Sequence, residues 1–140
     1  ELLPRSFGPG DLGIEAGLLA QTVEPLEVPQ EASGLVREAF LAANRSYAPY
    51  SKDPAGIALR TADEKVFTGS YAENAAFNPS TSPLHAALIQ MVGQGLDFDQ
   101  ITEAVLVEPE SAQVSQIGMT RLLLEQVAPQ AKLTVNLARR

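Results

Sequence analysis

A chain of 140 residues is long enough for one domain with a hydrophobic core, because a domain of this size buries about two-thirds of the surface that its unfolded chain exposes. Hydrophobic residues make up 45% of it, but no apolar run approaches the roughly 20 residues that cross a bilayer, so we expect no membrane association. The net charge of −7 argues against a nucleic-acid polymer as partner, and the absence of cysteine excludes disulfides, thiolate nucleophiles and cysteine-ligated zinc.

Residues 1–30 are predicted to form a linker or an extended arm. Prolines and glycines recur there often enough to leave little room for a helix. The chain begins with Glu1 rather than methionine, and we expect it to be part of a longer protein. No signal segment opens it, so cytoplasm is the expected compartment. The folded domain is predicted to occupy residues 31–140.

Hydrophobic periodicity predicts seven elements after the arm. A first helix starts after the N-cap Ser33 and ends before residue 47. Two short strands at 56–61 and 66–69 form a probable hairpin across a polar turn. Ser82 and Pro83 then provide an N-cap and a first-turn proline for a second helix that ends near residue 93 or 95.

The remaining elements alternate strand, helix and strand. A continuous apolar run at 104–107 predicts a buried strand, residues 117–127 a helix, and residues 132–137 a strand of alternating polarity. Glu108 and Glu110, on either side of Pro109, are interpreted as part of a solvated loop. Strands separated by single helices favour a three-layer α/β/α domain with a mixed sheet of about four to five strands.

Three stretches together resemble the cytidine deaminase family. Residues 43–52 read ANRSYAPYSK and resemble the family's AYAPYS segment, and residues 69–75 read GSYAENA and resemble its GxNVENA. Residues 1–7, ELLPRSF, resemble the sequence with which the family's domains close. The resemblance therefore implies a cytidine-deaminase-like fold that is preceded by the tail of another domain.

The zinc chemistry of that family requires a histidine or cysteine ligand, a proton-shuttling glutamate two residues later, and a downstream Pro-Cys-x-x-Cys. Aligned on these motifs, His85 occupies the first ligand position, but Ala87 stands at the glutamate position. Ile117 and Thr120 replace the two cysteines. The resemblance thus predicts no metal and no catalytic residue in this chain.

The substrate pocket of the family is altered as well. Asp53 stands where the family has a substrate-contacting phenylalanine, and Tyr71 replaces the asparagine that binds ribose. Only Glu73 of the ribose-binding pair remains, and with His85 it marks a vestigial pocket. Two plainer interpretations stay open: Glu73 serves as a surface or capping carboxylate, and His85 is simply packed or solvated.

The resemblance implies a role for such a chain, because some cytidine deaminases are dimers of two-domain subunits whose second domain is inactive. In the family a neighbouring subunit completes each active site, and the contributing positions correspond here to Phe7, Ala75 and Phe77. The plainer interpretation of Phe7 and Phe77 as ordinary anchoring aromatics stays open. The chain is then the C-terminal, non-catalytic domain of an enzyme of pyrimidine salvage that deaminates cytidine or deoxycytidine. Its partners are the zinc-containing N-terminal domain and the second subunit of a homodimer.

Two other functions are considered. A nucleoside-binding effector module would use the vestigial pocket, and Glu73 is its only direct support. A metal-independent hydrolase would need a nucleophile and a base, and His85, the single histidine, would have to be that base.

Overall fold

The structure is a computed structural model that describes residues 9–13, 23–76 and 80–139. Its regular elements follow the predicted order, and their bounds are α1 (Gly34–Ala43), β1 (Gly56–Thr61), β2 (Val66–Ser70), α2 (Pro83–Gly93), β3 (Ile101–Pro109), α3 (Ile117–Val127) and β4 (Lys132–Ala138). A short 3-10 turn, Pro9–Leu12, lies in the N-terminal arm, and another, Phe98–Gln100, precedes β3. None of the helices within the described ranges is long and apolar enough to cross a membrane.

The four strands form one mixed sheet in the order β2-β1-β3-β4. Strand β1 pairs antiparallel with both β2 and β3, whereas β3 and β4 are parallel. Parallel neighbours need a crossover, and α3 supplies it between β3 and β4. The prediction of a mixed sheet of four to five strands is therefore confirmed.

Helices cover both faces of this sheet. The larger core joins α2 and α3 to one face, and its fully buried members include Leu59, Leu84 and Leu106. The second core packs α1 on the opposite face through Phe40, Ala58 and Val107, among others. This arrangement confirms the predicted three-layer α/β/α architecture.

Part of the N-terminal arm lies against the domain. Leu26 is buried in the core beneath α1. Its backbone N–H donates to Asn44 Oδ1 at 2.7 Å, and its carbonyl accepts from Asn44 Nδ2 at 3.0 Å. These contacts attach residues 23–28 of the arm to the C-terminal end of α1.

Glycine is required where the helices approach the sheet most closely. A Cβ atom on Gly69 of β2 would overlap the carbonyl oxygen of Pro83 at the start of α2. A Cβ atom on Gly56 of β1 would overlap the backbone of Ala43 at the end of α1. These two close approaches set the depth at which α1 and α2 rest on the sheet.

Candidate functional site

An open cleft lies between the N-terminal ends of α2 and α3. It has a volume of about 530 Å³, within the range of small-molecule sites. Its walls are formed by Tyr71, Ser80, Ser82, His85, Val114, Ser115, Gln116 and Met119. Of the residues predicted for the vestigial pocket, His85 lies on this cleft, whereas Glu73 is not among its lining residues.

His85 lies in the first turn of α2 and is exposed. The hydroxyl of the N-cap Ser82 accepts a hydrogen bond from the backbone N–H of His85 at 3.2 Å and lies 3.0 Å from His85 Nδ1. In the described part of the chain, no carboxylate forms an ion pair with this imidazole. The serine and the histidine thus form a helix cap without the acidic third member of a hydrolytic triad.

The residues at the other zinc positions do not fit a zinc ion. Ile117 offers only carbon atoms, and Thr120 offers a hydroxyl in place of a thiolate. Ala87, at the position of the proton-shuttling glutamate, is fully buried in the larger core. No group of three or more histidine, cysteine or acidic side chains converges within residues 9–13, 23–76 and 80–139. Because a catalytic zinc needs three protein ligands, this donor set cannot hold one, and we derive no step through a metal.

Thr120, which the resemblance places at a cysteine ligand of the family, has a buried hydroxyl. Its side chain is completely buried in α3, and across the described ranges Oγ1 has no hydrogen-bond partner. An unsatisfied buried hydroxyl is uncommon in folded proteins. The unsatisfied hydroxyl therefore lowers the stability of the fold at a position to which the resemblance assigns a metal ligand.

Tyr71, which the resemblance places at a ribose-binding asparagine of the family, lines the cleft. Its side chain is almost completely buried, although one face lines the cleft. Burial raises the pKa of the Tyr71 phenol, while a side-chain hydrogen bond with Ser80 acts in the opposite direction. A neutral phenol thus replaces an amide at this point.

Glu73 is engaged with the backbone of a neighbouring turn. Its Oε2 accepts hydrogen bonds from the N–H groups of Tyr50 at 2.8 Å and Ser51 at 3.1 Å, and the residue is buried. This geometry matches the interpretation of Glu73 as a capping carboxylate. Its oxygens are used within the fold, and this leaves the effector hypothesis without its original support.

The residues predicted to act on a neighbouring subunit are described only in part. Ala75 is exposed in a turn that follows Glu73, and Asn74 Oδ1 accepts from the backbone N–H of Ala76 at 3.0 Å within that turn. Phe7 and Phe77 lie outside the described residues. The structure therefore places one of the three contributing positions at the surface.

Two further carboxylates near the cleft had not been recognised as structural. Asp53 is buried, and its Oδ2 accepts from the backbone N–H groups of Gln113 at 2.8 Å and Val114 at 3.0 Å. The interpretation of Glu108 as part of a solvated loop is wrong, because Glu108 belongs to β3 and is only 2% exposed. Its position directly after an apolar run was the signal that the strand continues.

Comparisons with known proteins agree with this fold. The family described as "Cytidine and deoxycytidylate deaminase zinc-binding region" matches residues 1–121. The chain is 46% identical over 134 residues to a cytidine deaminase of Vibrio atlanticus and 45% identical over 134 residues to one of Photobacterium profundum. Each alignment covers 96% of this chain but only 45% of the relative, so the chain spans less than half the length of these curated relatives.

Solved structures give the same result at lower identity. A cytidine deaminase from Burkholderia pseudomallei superposes with a TM-score of 0.63 at 28% identity, over 75% of this chain and 82% of that one. A cytidine deaminase from Mycobacterium leprae gives a TM-score of 0.60 at 25% identity, over 71% of this chain and 82% of that one. The four-stranded mixed sheet with its three helices is thus a cytidine-deaminase-like fold.

Proposed function

Because this chain belongs to the cytidine and deoxycytidylate deaminase family, we propose that it is the non-catalytic C-terminal domain of a two-domain cytidine deaminase. The parent protein, a cytoplasmic enzyme of pyrimidine salvage, hydrolytically deaminates cytidine or deoxycytidine with a zinc ion held in its other domain. The observation that carries the proposal is the donor set around the cleft. Isoleucine and threonine at positions 117 and 120 leave zinc with one histidine, and alanine at position 87 leaves the site without its proton-shuttling glutamate.

The lengths of the relatives support a second domain. The described fold matches more than four-fifths of a solved cytidine deaminase chain, while the aligned relatives are more than twice as long as the segment that this chain covers. They therefore have room for a second domain of similar size. On this proposal residues 1–30 connect the two domains and residues 31–140 form the inactive one.

An exposed apolar surface supports a role in assembly. Ile89 and Val92 on α2 are 66% and 62% exposed, and Met119 and Leu122 on α3 are 49% and 62% exposed. Both helices pack on the same face of the sheet, and exposed apolar side chains of this kind are typical of a protein interface. We assign this α2–α3 face to contact with the catalytic domain or with the second subunit of a homodimer.

Phe7, Ala75 and Phe77 are proposed to complete the partner's active site, and the exposure of Ala75 is compatible with that role. In the full-length protein, Ala75→Asp is expected to lower kcat/KM for cytidine about tenfold by displacing the bound nucleoside. The neighbouring Ala76→Asp is the matched control, since both alanines are exposed in the same turn. Equal activities of the two variants would refute the contribution in trans.

The absence of catalysis is tested with the 140-residue chain and the full-length protein. The chain alone is expected to leave cytidine unchanged in the presence of zinc. The full-length protein is expected to contain one zinc ion per polypeptide. Deamination by the chain, or a second bound zinc, would overturn the proposal.

The assembly role has its own test. Replacing Ile89 and Leu122 by aspartate is expected to dissociate the homodimer in sedimentation experiments, because charges would be buried at its interface. Val66→Asp is the control, since Val66 is 44% exposed but lies on β2. Dissociation by the control, or a stable dimer in the double variant, would mean that the homodimer interface lies on another surface.

A nucleoside effector site remains as the second candidate, and the cleft itself favours it, because about 530 Å³ is sufficient for a small ligand. Calorimetric titration of the chain with cytidine and uridine tests it. No heat at millimolar nucleoside would remove this candidate.

A further inference from the structure

Two buried carboxylates hold the loop that leads into α3. Asp53 lies before β1 and accepts from the N–H groups of Gln113 and Val114 through one oxygen, at 2.8 and 3.0 Å. Glu108 lies near the end of β3 and accepts from Ser115 Oγ at 2.6 Å and from the Gln116 N–H at 2.7 Å. Together they bind donors from four consecutive residues, 113–116.

Carboxylates are well suited to this task. A buried carboxylate is unfavourable unless hydrogen-bond donors surround it, and charge-assisted bonds are about twice as strong as neutral ones. Glu108 also binds at the N-terminal end of α3, where the helix dipole favours negative charge. Each side chain therefore stabilises one conformation of the loop and one position of the helix start.

The loop 113–116 forms a wall of the cleft and directly precedes the positions where the family has its zinc ligands. Val114, Ser115 and Gln116 line the cleft, and Ile117 and Thr120 follow in the first turn of α3. In the family, a metal bound at these positions would link the start of α3 to the start of α2. Here the loop is linked instead to the sheet, through the residues that precede β1 and end β3.

We propose that Asp53 and Glu108 form a metal-free clamp that fixes the start of α3 and the cleft wall in place of zinc. This inference rests on the proposed function, since it applies to a domain that has lost its metal. At position 53 it also gives a reason for the substitution: a side chain in a substrate-contacting place now serves the fold. Asp53 and Glu108 are thus positioning residues for the segment 113–120.

Hydrogen exchange followed by mass spectrometry tests the clamp in the full-length protein. In Asp53→Ala and Glu108→Ala, exchange in a peptide covering residues 110–122 is expected to rise at least about tenfold, because the segment opens locally once its acceptors are gone. Asp53→Asn and Glu108→Gln keep an oxygen acceptor but lose the charge, and they are expected to give smaller increases. Peptides from β1 should exchange at the original rate.

Glu110→Ala is the matched control, because Glu110 is an exposed carboxylate two residues from Glu108. It is expected to leave the exchange of the segment unchanged. Removing zinc from the protein with a chelator is likewise expected to leave peptide 110–122 protected. If an alanine variant unfolds, the amide variants decide the outcome.

Two results would overturn the clamp. One is unchanged exchange of residues 110–122 in all four variants, and the other is opening of this segment by the chelator. Unchanged exchange would leave the proposed function standing, because the cytidine assay and the zinc content decide whether the domain is catalytic. The clamp and the proposed function can therefore fail independently.

Discussion

The buried hydroxyl of Thr120 leads to a prediction about stability. Thr120 is completely buried, and within the described ranges its Oγ1 has no hydrogen-bond partner. Leaving a buried polar group unsatisfied costs about 1–3 kcal/mol, whereas a methyl group of similar size carries no such penalty. Threonine and valine have similar helix propensities, so the change Thr120→Val isolates the hydroxyl. We therefore expect this variant to be more stable by about 1–2 kcal/mol.

Urea unfolding of the 140-residue chain, followed by circular dichroism, measures this gain. The midpoint should rise while the slope of the transition stays constant. Thr120→Ser is the control, because it keeps the hydroxyl and removes a methyl group from the core, and it should be less stable by about 1 kcal/mol. A Thr120→Val protein no more stable than the original would mean that the hydroxyl has a favourable partner, and the reasoning would fail.

Three further predictions concern the sheet and two titrating groups. Gly69→Ala should destabilise the chain by more than about 3 kcal/mol in urea unfolding, because its Cβ would overlap the α2 backbone. Burial raises the pKa of the Tyr71 phenol, so the unfolded chain loses that proton first, and the free energy of unfolding falls as the pH rises above about 10. Tyr71→Phe should flatten this fall. Hydrogen bonding to Lys65 lowers the pKa of the Asp63 carboxyl in the folded chain. Its contribution to stability is therefore present above the pKa of the unfolded chain and is lost as the pH falls through the pKa of the folded chain. Asp63→Asn should reduce the loss of stability that urea unfolding detects below about pH 4.

Most of the fold could be predicted because its elements carry local signals. The N-cap Ser82 with Pro83 fixed the start of α2, and periodicity gave the bounds of α3. Strand β3 extends beyond the predicted residues 104–107 at both ends. At its C-terminal end Glu108 is polar, and its burial depends on donors seven and eight residues further along the chain. This pairing exists only in the folded protein, so the hydropathy of the sequence did not reveal that Glu108 is buried.

The site was predicted less completely than the fold. Motif spacing located the cleft at His85, but it did not reveal that Glu73 and Asp53 turn their oxygens toward backbone N–H groups of distant loops. A carboxylate at a former substrate position has the same sequence signal whether it binds a ligand or a loop. Only the three-dimensional arrangement of the donors distinguishes the two.

On the proposed function, the burial of Ala87 would make the loss of catalysis difficult to reverse in evolution. Ala87 is fully buried in the core that α2 shares with the sheet, so a glutamate placed there alone would carry an uncompensated buried charge, with a penalty of several kcal/mol. Cysteines at positions 117 and 120 would gain no activity until that glutamate was also present. Each single substitution toward the active sequence would thus lower stability or add no activity. Selection would then keep the fold without restoring the catalytic residues.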